Sequence, residues 1–146
     1  MPLAAQIQNI APDAAGLQRI AEKARAEGYS FVDRLLHEAQ SGANRFDGAG
    51  ECFLGLFMSG VLIGCGGLNR DPFVGGDTGR LRHIYVSPDH RRQGLARCLV
   101  AELLRRGRPT FSMIRLRVAD EAGRAFYEAL GFSSIDEPSA THEILF

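Results

Sequence analysis

Val86 to Ala96 reads V-S-P-D-H-R-R-Q-G-L-A, and no other stretch limits the fold of this chain as much. It follows an apolar run from Arg80 to Val86 and leads into a helical pattern from Gln93 to Arg106. There Leu95, Leu99, Leu103 and Ala96, Val100, Leu104 form two i, i+4 rows. Pro88 ends the strand, Gly94 stands near the first helical turn, and Arg105, Arg106, Gly107 and Pro109 stop the helix. A strand that feeds a helix through a short loop is a unit of layered α/β architecture. The loop also suits an anion. Unpaired amides, the helix dipole and the flanking Arg91 and Arg92 make a site fit for a pyrophosphate.

Charge is distributed to match. Residues 80–108 hold eight arginines and two acids, a net +6, while residues 1–79 and 109–146 are each −3, so the chain is neutral overall. Sixteen of the 17 basic residues are Arg, whose planar fork matches phosphate oxygens. Arg105, Arg106 and Arg108 complement the helix C-terminus. Zero net charge argues against a broad nucleic-acid surface. At 146 residues, 45% hydrophobic and 23% charged, the chain is expected to form one domain, residues 1–146, with a real core. No apolar run reaches the roughly 20 residues of a membrane span, and Met1 to Ile10 lacks signal-peptide features, so a cytoplasmic protein is expected. Cys52, Cys65 and Cys98 have no zinc or redox spacing; free thiols and no metal are expected.

Around the central unit the pattern predicts a first strand at Gln6 to Ile10, then a helix behind Asp13 with Leu17, Ile20, Ala21 and Ala24 on one face, ending at Gly28. A second helix opens at Ser30, with Asp33 at capping-box spacing, and closes at Gly42. Glu51 to Met58 and Val61 to Leu68 read as a hairpin turning at Ser59 and Gly60. Asp71 to Gly79 is a loop. In the strand Arg80 to Val86, Leu81 and Ile84 are three apart while Ile84 and Val86 are two apart, which predicts a bulge near Arg82 or His83. Met113 to Val118 is a strand. Asp120 caps a helix with Ala122, Ala125, Phe126, Ala129 and Leu130 at 3.6-residue spacing, and Ala140 to Phe146 is a last strand. The result is an α/β (α+β) fold, a mixed sheet of about six or seven strands flanked by about four helices.

Other nucleotide motifs do not fit. No Gly-Lys-Ser/Thr follows a glycine loop, and Gly64-Cys-Gly-Gly-Leu-Asn69 leads into Asp71-Pro72 where a dinucleotide fold needs a helix. The glycines there are expected to admit a neighbouring backbone or ligand. The stretch V-S-P-D-H-R-R-Q-G-L-A instead resembles the acetyl-CoA signature of the GNAT superfamily of N-acetyltransferases, R/Q-x-x-G-x-G/A, with Arg91, Gly94 and Ala96 at its fixed positions. A-F-Y-E-A-L-G-F, from Ala125 to Phe132, is similar to the family's tyrosine-bearing last helix. The two motifs stand in the family's order within a matching succession of elements.

The resemblance implies that the backbone of Ile84, Tyr85 and Val86 pairs with the pantetheine arm of acetyl-CoA where two strands splay. It implies that the amides of Arg92, Gln93, Gly94, Leu95, Ala96 and Arg97 hold the pyrophosphate, and that Tyr127 protonates the departing thiolate. Periodicity adds that Asp120, Gly123 and Tyr127 share a face away from the Ala122–Leu130 stripe. Two positions depart from the family pattern. Asp120 stands where many relatives have Asn and is expected to act as a helix cap; Arg80 stands where many have a Glu that orders a water. The general base is therefore unassigned, with His83 as the candidate of suitable pKa and Glu51 and Glu143 behind it. His37, His90 and His142 read as surface.

The expected activity is transfer of acetyl from acetyl-CoA to a primary amine, a small molecule or a peptide, by direct attack in a ternary complex. Buried Cys65 and Cys98 would not serve as acyl carriers. A CoA-binding sensor or accessory protein of the same fold is the rival, and an enzyme acting on charged tRNA is disfavoured by the neutral charge. Loop Asp71 to Gly79 and the first two helices are expected to wall the acceptor site. Family habit and the apolar C-terminal strand point to a homodimer.

Overall fold

The computed structural model describes residues 4–146. Seven strands and four α-helices follow the order β1 (Ala5–Asn9), α1 (Leu17–Ala26), α2 (Phe31–Ser41), β2 (Cys52–Met58), β3 (Val61–Arg70), β4 (Thr78–Val86), α3 (Leu95–Gly107), β5 (Met113–Leu116), α4 (Glu121–Ala129), β6 (Ser133–Ser134) and β7 (His142–Leu145). One turn of 3-10 helix, Pro88–His90, precedes α3. The strands form a single sheet in the order β1-β2-β3-β4-β5-β7-β6. Every pairing is antiparallel except β4 with β5, which α3 connects as a crossover. The short β6, which pairs with β7, is the element that the apolar pattern did not indicate. Two exposed serines carry no periodicity to read.

Alternation along the strands supplies the two faces of the sheet. Phe53, Leu62 and Cys65 pack with Leu17, Ile20 and Ala24 of α1 and with Val32 and Leu35 of α2. Leu54, Leu68 and Leu81 join Leu99, Val100 and Leu103 of α3, and Tyr127 of α4 belongs to the same cluster. The expected capping box at the start of α2 does not form: Ser30 makes no side-chain cap bond, and Asp33 accepts two bonds from Arg25 of α1, at 3.0 and 2.8 Å. Gly16 caps α1, with no side-chain cap bond.

Two irregularities shape the centre. Cys65 stands opposite Tyr85 and Gly67 opposite Arg82, so His83 and Ile84 together face Gly66. This is the bulge that the Leu81–Ile84–Val86 spacing predicts, and His83 carries it with φ 59°. Further along, β4 pairs with β5 only at Thr78, Gly79 and Arg80, opposite Met113, Ile114 and Arg115. Beyond Arg80 the two strands part, leaving one backbone edge of β4 unpaired through Val86.

Gly64 shows what the close packing here requires. A Cβ on it would sit 2.6 Å from the Tyr85 carbonyl oxygen, a backbone atom with no freedom to swing away. Gly64→Ala is therefore expected to cost about 1–3 kcal/mol, a fall in Tm of roughly 3–10 °C in a thermal melt. A melt that matches wild type would mean that the β3–β4 pair relaxes freely at this point.

Candidate active site

The parted strands open into two cavities. The first, about 490 Å³, lies over the end of β4 and the start of α3; the second, about 840 Å³, lies between α2, the bulge of β4 and the segment after β5. They share Tyr29, Phe31, Ile84, Val118, Asp120 and Tyr127, so they meet at the tyrosine of α4.

The first cavity gathers most of the residues expected to bind a cofactor. Ile84, Tyr85, Val86, Arg91, Arg92, Gly94, Leu95, Ala96 and Arg97 line it, and Gln93 does not. Gly94 caps α3 in the left-handed region, φ 75°, and a Cβ there would meet no atom within 4 Å. The helix ladder begins with the Cys98 amide on the Gly94 carbonyl, 3.1 Å, so the amides of Leu95, Ala96 and Arg97 have no partner within the helix. A built anion site results: open space, unpaired donors and the positive end of a 13-residue helix.

Arg91 lines the cavity and is also held by protein groups. Its guanidinium grips both carboxylate oxygens of Glu27, at 2.7 and 2.8 Å, donates through Nε to the Val86 carbonyl at 2.9 Å, and lies 5.4 Å from the Tyr85 ring centre. The Tyr85 hydroxyl donates to the same Glu27 carboxylate. Arg91 holds Glu27 below the usual carboxylate range, and burial, with Glu27 beside it, pushes the Tyr85 phenol above its ordinary value. The arginine ties the end of α1 to the end of β4, and its charge is already answered. Arg92 and Arg97 stay exposed at the cavity.

Tyr127 sits where the alanine stripe argued against it. Ala122, Ala125 and Ala129 are exposed, and Tyr127 is the buried residue of α4. A Cβ on Gly123 would lie 2.2 Å from Val118 Cγ2, so the Gly123 face is where α4 presses on Val118, two residues past β5. Tyr127, one turn on, enters the core edge-on to Phe126 and Phe132, ring centres 4.9 and 5.5 Å away. Its hydroxyl has no hydrogen-bond partner among the described residues, and burial pushes its pKa up. Asp120 is the helix cap, accepting the Gly123 amide at 2.7 Å as expected.

In the second cavity the His83 ring is packed between Phe31 and Phe46, its side chain 2% exposed. Neither ring nitrogen meets a hydrogen-bond partner, and Nε2 lies 4.0 Å from Glu38 Oε2, itself buried and unpartnered. Burial, reinforced by the positive charge of Arg82, pushes the His83 imidazole down to about 3. Glu38 is a residue the sequence reading missed. The available signal was a second stripe on α2: Phe31, Arg34 and Glu38 lie at i, i+3 and i+7, and all three line this cavity.

The other base candidates lie elsewhere. Glu51 accepts the Gly48 and Arg70 amides, at 2.9 and 2.7 Å, outside both cavities, and Glu143 pairs with Arg115 at 3.3 Å. His142, read as surface, is fully buried against Thr141 and Glu128, and His90 lines the first cavity. Cys65 is buried, as expected, and burial pushes its thiol up to about 12. Pro72 and Phe73, from the loop after β3, wall the second cavity together with Tyr29 and α2.

Solved structures share this fold. A provisionally named acetyltransferase of Exiguobacterium sp. 255-15 superposes with a TM-score of 0.86 at 24% identity, over 97% of this chain and 93% of that one. The PaiA N-acetyltransferase of Thermoplasma acidophilum, solved in complex with coenzyme A, gives 0.71 at 21% identity, over 99% and 100%. The ribosomal-protein-S18-alanine N-acetyltransferase of Escherichia coli gives 0.66 at 19%, over 95% and 88%. No curated relative matches the chain. At these identities the structures speak for the fold, and a sequence model supplies the family: the Acetyltransferase (GNAT) family model matches residues 17–132, from the start of α1 to the Phe132 that follows α4. The chain belongs to the GNAT acetyltransferase family.

Proposed function

We propose that this protein transfers the acetyl group of acetyl-CoA to a primary amine by direct attack in a ternary complex. The observation that carries the reading is the meeting of two cavities at Tyr127, one with the anion site of α3 and one with His83 and Glu38. In this reading the amides from Arg92 to Arg97 hold the pyrophosphate, and the unpaired edge of β4 from Ile84 to Val86 pairs with the pantetheine amides as an added strand would. The thioester then lies at the junction, and the amine enters from the second cavity.

The nitrogen–carbon bond forms as the carbon–sulfur bond breaks, one proton leaving nitrogen and one reaching sulfur. His83 takes the first, directly or through a water. A ring with a pKa near 3 is a weak base, but it is in its basic form throughout the working range, the attacking nitrogen becomes far more acidic as the bond forms, and Glu38 would stabilise the imidazolium. Tyr127 supplies the second proton and regains it from solvent. Three free cysteines are in keeping with a reducing, cytoplasmic setting.

The test is CoA release across a panel of amines. Release with at least one amine, rising with pH along the deprotonation of that amine, is expected. His83→Gln should lower kcat and leave the midpoint of the pH profile in place, because the lowered His83 pKa puts its own titration below the assayed range. Tight CoA binding with no release on any amine would favour the rival reading, a CoA-binding sensor.

A further inference from the structure

The second cavity carries more positive charge than an amine alone would want. Arg34, Arg80, Arg82 and Arg117 line it, against Glu38 and Asp120. Two of the four arginines are answered: Arg80 by Asp71 at 3.4 Å, and Arg82 by Glu38 at 3.5 Å. Asp120 is engaged as the cap of α4. Arg34, on α2, and Arg117, just past β5, have no acidic partner among the described residues; Arg117 donates to the Pro138 carbonyl at 2.8 Å, which positions the guanidinium without neutralising it. The four charges also stand close enough to act on each other's surroundings. Arg82 and Arg34 both depress His83, and Arg82 and Arg117 both depress Arg80, whose lowering is due first to burial. Tyr29, Phe31 and Phe73 supply apolar wall between them.

We infer that the acceptor is an amine that also carries an anionic group, an amino acid or a molecule of like chemistry, with Arg34 and Arg117 reading the anion. The inference rests on the acetyltransferase reading and narrows it. An anion offered to two unanswered guanidiniums gains charge-assisted hydrogen bonds, whereas a di- or polyamine brings further like charge into the cavity. The neutral Arg34→Gln and Arg117→Gln variants remove the charge and keep a polar side chain in place. Both side chains are exposed, so both variants should fold.

The experiment uses pairs of amines that differ in the anion: phenylalanine against phenylalaninamide, phosphoethanolamine against ethanolamine, and spermidine as the cationic extreme. The anionic member of at least one pair should have a kcat/KM roughly tenfold or more above its neutral partner. The first pair reports a carboxylate and the second a phosphate. Arg34→Gln and Arg117→Gln should erase the preference, the loss falling on KM rather than kcat. Equal rates within both pairs, a preference for spermidine, or a preference that survives both variants would overturn the inference. If CoA binds and no amine turns over, the acetyltransferase reading is what has failed. The anion site is then judged by calorimetry on the CoA-loaded protein: N-acetylphenylalanine binding more tightly than its amide supports it, and equal binding overturns it.

Discussion

Gly94→Glu should abolish coenzyme A binding in a protein that still folds. Residue 94 has φ 75°, a conformation that costs a non-glycine residue about 1–2 kcal/mol, and its missing side chain points into space that no protein atom fills within 4 Å. The strain alone is survivable. The larger effect comes from a carboxylate placed beside the unpaired amides of Leu95, Ala96 and Arg97, where it satisfies the donors itself and repels an incoming pyrophosphate. Like charges juxtaposed in a binding site cost several kcal/mol, so calorimetry should show affinity at least about a hundredfold weaker. Gly94→Ala separates the two contributions: it carries the backbone strain without the charge, and it should lower Tm while losing far less affinity. A folded Gly94→Glu protein that binds CoA as wild type does would remove the pyrophosphate from the start of α3.

Tyr127→Phe is expected to slow acetyl transfer by roughly tenfold to a hundredfold in single-turnover measurements, with CoA affinity little changed. General acids contribute about 10² to 10⁴ in rate, and two features place Tyr127 at the low end. A thiol has a pKa near 8.5 and a phenol near 10, so proton transfer to a fully formed thiolate is uphill by about 2 kcal/mol before the site acts. Burial raises the phenol further. The hydroxyl then assists by donating a hydrogen bond as charge develops on sulfur. Because the raised pKa keeps the phenol protonated up to and beyond pH 10, Tyr127 should contribute no basic limb to the pH profile below that. Stability offers an independent readout. The ring lines both cavities and its hydroxyl makes no hydrogen bond to the described residues, so removing the hydroxyl should leave Tm unchanged, while a hydroxyl bound in a structural network would lower it. Wild-type single-turnover rates would assign the ring to packing and leave solvent as the proton source.

The site geometry turns on how a few local features are combined. What the sequence determined by itself is what near neighbours in the chain decide. The bulge at His83 follows from three apolar residues that must share a face, Leu81, Ile84 and Val86, and the cap at Asp120 from a side chain reaching three residues on. The open start of α3 follows from a glycine at the helix cap. Only the tertiary structure decided the partners of charged groups and the face on which α4 rests. Arg91 stands in the chain between β4 and α3, yet its carboxylate partner, Glu27, is 64 residues away. Asp33 leaves a cap for Arg25, and Glu38 reaches His83 from another layer. On α4 the alanines formed a convincing stripe, but burying an alanine gains little, and Gly123 lets the helix press against Val118 and carry Tyr127 inward. Local patterns are fixed by steric and hydrogen-bonding neighbours a few residues apart; the pairing of ions and the choice between two faces of a short helix are settled by whatever surface the finished sheet presents.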